Sequence, residues 1–94
     1  MKLKKVINEV SIEKIVKGFA NKKRIDIIYL LNTKPGLSVA DISEELNIEF
    51  KNSSAHISKL AGAGILFKKS QGNLVTHFLT KRGKSILQFV RIIE

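Results

Sequence analysis

The 94-residue sequence has no cysteine, a single proline, and eight acidic residues against seventeen lysines and arginines. Without cysteine there is neither a disulfide framework nor a thiolate metal site. Only two histidines are present, His56 and His77. A metal site needs three or four matched ligands, so two isolated histidines do not supply one. No glycine-rich phosphate loop, His-Glu metal pair or nucleophile beside a base is visible, which argues against an enzyme and against a cofactor. No apolar run approaches the roughly 20 residues of a membrane span. The basic start, Met1 to Lys5, leads into a stretch broken by Glu9, Glu13 and Lys14, so it is not a signal peptide. A cytoplasmic protein is expected.

What the chain has is positive charge. The formal net charge is +9, which points to a polyanionic partner. Nucleic acid leads and an anionic membrane surface comes second. The excess lies almost wholly after residue 49, where eight basic residues meet one acid, Glu94. Acids at 9, 13, 41, 44 and 45 fall where solvated helix faces would put them. The length suits one domain with one modest core, residues 1–94.

Apolar residues from Val6 to Phe19 recur at helical spacing, in a stripe wider than one seam. Asn21 caps a second helix, Lys22 to about Asn32, which stops before the turn signal Thr33-Lys34-Pro35-Gly36. Ser38 and Asp41 read as a capping box opening a third helix, with Val39, Ile42 and Leu46 inward and Asn47 as a left-handed stop. A very short turn leads to a fourth helix, about Phe50 to Ala63, with Ile57 and Leu60 buried. The rhythm then turns to strand: Ile65–Lys69 and Leu74–Leu79 flank a hairpin turn at Ser70–Asn73. Thr80 caps a last helix, Lys81 to about Ile93. The expected fold is mainly α with a small antiparallel β hairpin.

Two short helices joined by a tight turn, then a basic hairpin, place a helix in a DNA major groove in a winged helix-turn-helix. The fourth helix is the reading element, with Lys51, Asn52, Ser54, Ala55, Ser58 and Lys59 outward. Hydroxyl and amide groups can read base edges there, and lysines reach phosphate or guanine. The same small polar residues also suit a plain solvated helix face. On the wing, Lys68, Lys69 and Asn73 are the expected backbone contacts, and His56 lies near the reading face.

Over about residues 15–90 the sequence resembles the ArsR-like winged-helix repressors, with MarR-like and PadR-like relatives close behind. Phe19-Ala20-Asn21-Lys22-Lys23-Arg24-Ile25-Asp26-Ile27 is similar to the opening of that family's second helix. Ser54-Ala55-His56-Ile57-Ser58-Lys59-Leu60, followed by Ala63-Gly64-Ile65-Leu66, resembles its recognition helix and exit. Leu79-Thr80 with Gly83 resembles its junction between wing and last helix. Ser38 and Ala40 stand where metal-sensing members carry cysteines, and the last helix lacks the Asp/His pair of other members, so no metal sensing is expected. Ser53 replaces a usual buried aliphatic residue, and Glu49 takes a place where Ser or Thr normally caps.

The resemblance implies a homodimeric regulator of double-stranded DNA, a repressor, paired through its first and last helices. Leu3, Val6, Ile7 and Val10 at one end, and Phe89, Val90, Ile92 and Ile93 at the other, supply apolar surface for pairing; the alternative is that they close the core. An architectural protein coating DNA without sequence preference, or a protein-interaction module, would share the same composition.

Overall fold

The computed structural model describes residues 6–94. Five helices and one hairpin follow in the order α1 (Glu9–Phe19), α2 (Lys22–Thr33), α3 (Val39–Leu46), α4 (Phe50–Gly62), β1 (Leu66–Gln71), β2 (Leu74–Leu79) and α5 (Lys81–Ile93).

Helix α1 starts three residues later than its apolar spacing suggests. The Asn8 Oδ1 accepts from the amides of Val10 and Ser11, both at 3.1 Å, and so fixes the first turn. Val6 and Ile7 precede the helix and are exposed; Leu3 lies outside the described residues. Asn21 caps α2 in the same way, through Lys23 and Arg24.

The capping box of α3 is present in both directions, Ser38 amide to Asp41 and Asp41 amide to the Ser38 hydroxyl, each 3.1 Å. Its far end is a full Schellman motif. Asn47 takes φ 52°, its amide reaches Glu44 O, and the Ile48 amide donates to Ser43 O at 3.0 Å. Ile48 is buried beneath this turn, so the step from α3 to α4 is held from inside.

The core gathers around α2. Ile27, Ile28 and Leu31 pack with Ile42 of α3, Ile57 and Leu60 of α4, Ile65 and Leu66 at the hairpin base, and Ile86 and Leu87 of α5. Each such residue contributes roughly 1.5–3 kcal/mol by leaving water. Ile25 and Leu30 are only half-buried, because they lie at the edges of the face that α2 presents inward.

The hairpin turn is tighter than the sequence suggests. Gly72 takes φ 64°, the sign that the first central residue of a type II′ turn requires. Gly72 and Asn73 alone form the loop, Ser70 and Gln71 pair with Val75 and Leu74, and Ile65 sits ahead of the strand rather than in it. A short third piece joins the ribbon at Leu37, bridged to His77. The His77 amide and its Nδ1 both donate to Leu37 O, at 3.0 and 2.8 Å. His77 is buried and holds the α2–α3 loop to the wing.

Helix α4 is gripped at its C-terminal end. Arg82 Nη1 donates to Ala63 O at 2.9 Å and the Thr80 hydroxyl to Gly64 O at 2.6 Å. On the other side Gly18 of α1 lies so close that a Cβ there would stand 2.6 Å from the Ala63 Cβ. Only the Ala63 methyl stands between the two backbones at that crossing.

Candidate nucleic-acid interface

Buried Ser53, Ile57 and Leu60 turn one side of α4 to the core. The helical period then sends Lys51, Asn52, Ala55, Ser58 and Lys59 to solvent, and all five are exposed. Ser54 is half-buried; it lies at the border of the two faces. The exposed side of α4 therefore presents two lysines, an amide and a hydroxyl, with no acidic residue on the helix.

The N-terminus of α4 is uncapped. Glu49 occupies the cap position and makes no side-chain bond to the first turn. Backbone N–H groups at a helix start attract anions when nothing within the protein satisfies them. The carboxylate of Glu49 beside them opposes that attraction.

Lys68, Lys69 and Asn73 are all exposed. Asn73 stands at the tip of the wing. The two lysines are neighbours on one strand and so project from opposite faces of the ribbon. Lys68 sits across from His77 and Lys69 across from Thr76. Phe67 and Phe78 stack at 5.3 Å on the Lys69 face. The structure thus brings the α4 residues onto one surface and separates the wing lysines.

A tie between α2 and α4 was not visible in the sequence. Arg24 Nε donates to His56 Nδ1 at 3.1 Å, and Arg24 Nη1 donates to Lys17 O and Gly18 O, both 3.3 Å. One guanidinium closes the end of α1 and braces the middle of α4. The partners are 32 residues apart, beyond any local pattern; only the Lys22-Lys23-Arg24 run marked the place. Burial, then the charges of Arg24 and Lys23, hold the His56 pKa below its ordinary 6.5. His56 is engaged within the protein and is half-buried, a structural role beside the reading face.

Among the described residues no three His, Asp or Glu side chains gather as a metal-ligand set, and no helix is long and apolar enough to cross a membrane.

Residues 21–68 match the family described as bacterial regulatory protein, arsR family. Solved structures share the architecture. Reduced HlyU from Vibrio cholerae superposes with TM-score 0.78 at 22% identity, covering 92% of this chain and 90% of that one. A homodimeric winged helix-turn-helix DNA-binding domain from Mycobacterium bovis gives 0.82 at 16% identity, over 99% and 89% of the two chains. The transcriptional repressor PagR of Bacillus anthracis gives 0.76 at 22% identity, over 88% and 99%.

Proposed function

We propose that this chain, which belongs to the arsR family of bacterial regulatory proteins, represses transcription as a homodimer bound to a palindromic site on double-stranded DNA. It is a DNA-binding regulator of the winged helix-turn-helix type and not an enzyme. The observation that carries the finer reading is the outward face of α4: exposed Lys51, Asn52, Ser58 and Lys59, with no acidic residue on the helix. In this reading α4 lies in the major groove, Asn52 and Ser54 read base edges, and Lys51 and Lys59 meet phosphate. The wing contributes backbone contacts through Asn73 and one of its two lysines. Repression follows from exclusion of polymerase from the occupied site. The homodimer is supported by exposed apolar residues on α1 and α5 and by the homodimeric state of the similar Mycobacterium bovis domain.

Binding-site selection with purified protein, followed by footprinting, tests this. A discrete palindromic footprint is expected, and uniform protection of all sequences would favour a coating protein instead. Roughly 6–10 phosphate contacts would cost about three to five decades of affinity between 50 and 200 mM salt. An affinity that barely changes over that range contradicts the reading.

A further inference from the structure

A groove of about 560 Å³ runs between α1, α2 and α4. It lies beside the close approach of α1 and α4 at Gly18 and Ala63, and both residues line it. Lys14, Lys17, Arg24 and Lys59 line it against a single carboxylate, Glu13, which faces Lys17 at 3.8 Å. The lysines are exposed, whereas Arg24 is held by its bonds to His56, Lys17 O and Gly18 O. The groove therefore offers one preorganised cation, several adaptable ones and a glycine-alanine lining. Its size is that of small-molecule sites, and a bare inorganic anion would leave most of it to water.

We infer that this groove binds a small amphipathic monocarboxylate, whose apolar body lies over Gly18, Gly62 and Ala63 and whose carboxylate meets the surrounding cations. Ser58 and Lys59 belong both to the groove and to the outward face of α4. An occupant withdraws the Lys59 charge and crowds that face, so ligand and DNA oppose each other. By linkage the opposition is reciprocal. This second half rests on the DNA-binding role proposed above; the first half does not.

The full-length protein without DNA is titrated with octanoate and, separately, with octanol, and the amide NMR spectrum is followed. Saturable shifts are expected at Lys14, Gly18, Gly62 and Ala63, with octanol weaker by about tenfold or more because it forms no charge-assisted bond. Gly62→Leu blocks the groove: the glycine is exposed, a Cβ there meets no atom within 4 Å, and leucine favours the helix. Both Gly62→Leu and Lys14→Glu should weaken octanoate while the fold survives. Shifts scattered over the apolar sides of α1 and α5, or equal binding of octanol, overturn the site. With salt matched, saturating octanoate should lower affinity for the selected DNA by about tenfold, and not in Gly62→Leu. Groove binding without any change in DNA affinity overturns the regulatory coupling. Absence of DNA binding by the ligand-free protein is instead a failure of the proposed function, and leaves the groove to be decided by the octanoate titration.

Discussion

Ser53 is wholly buried in α4, and its hydroxyl has no hydrogen-bond partner. A buried donor left unmade costs about 1–3 kcal/mol. Ser53→Ala removes the group and leaves little space, so urea unfolding should show a gain of about 1 kcal/mol; a loss of stability would mean the hydroxyl is satisfied. His56 gives a pH signature. Its pKa is lowered in the folded state, by burial first and by Arg24 and Lys23 next. The unfolded chain therefore takes up the proton first as pH falls through 6.5. Stability from this group is complete above that pH and is lost as pH falls toward the lower folded value. Protonation also removes the lone pair on Nδ1 that accepts from Arg24. Unfolding free energy measured from neutral to mildly acidic pH should decline in the wild type and decline less in His56→Gln. Identical slopes would place the titrating group elsewhere.

At the scale of elements, α4 and the wing have separable tasks. Asn52→Ala or Ser54→Ala should cost about 1–3 kcal/mol on the selected site and relax its sequence preference. Lys68→Ala and Lys69→Ala should weaken all sequences alike, but unequally with each other, because the two side chains leave opposite faces of the ribbon. The lysine that faces DNA should take about one unit from the salt slope per protomer and the other almost none. Specific and non-specific affinities for each variant decide the matter: wing variants that alter the ratio, with helix variants that do not, would transfer reading to the wing. Much of this layout was legible in the chain. Ser38, Asp41 and Asn47 announce α3 because capping acts over three or four residues, and Ile57 and Leu60 orient α4 by period alone. The start of α1 was misplaced because Val6 and Ile7 continue the apolar rhythm past the Asn8 cap. The Arg24–His56 tie, the Gly18–Ala63 crossing and the groove beside it were illegible, since each joins residues that only the tertiary fold brings together. Two adjacent lysines read as one basic patch until strand geometry sends them apart.

The molecule as a whole leaves apolar side chains in water at both ends of the chain. Ile12 and Val16 on α1, and Phe89, Ile92 and Ile93 on α5, are exposed, Ile92 by 75%. Tyr29 and Arg91 help to fix α5 against α2, through a hydrogen bond from Tyr29 to Glu94 at 3.1 Å and the Arg91 guanidinium 5.7 Å from the Tyr29 ring, so the α5 surface is presented by a braced helix. In the proposed dimer these faces are covered. Ile12→Lys with Ile92→Lys should convert the dimer to monomer in sedimentation equilibrium. Affinity for the palindromic site should then fall by about 10²- to 10⁴-fold, the advantage of two linked half-sites, with the monomer still folded by circular dichroism. A double variant that stays dimeric would place the interface elsewhere. The bare crossing of Gly18 on Ala63 acquires a meaning in that dimer. With the Gly18 backbone already against the Ala63 methyl, α4 cannot move closer to α1, so in the proposed dimer the spacing between the pairing helix and the reading helix is set. The protein becomes a ruler: an extra base pair between half-sites displaces one of them by about 3.4 Å along the duplex, and a gauge without give cannot stretch to follow it.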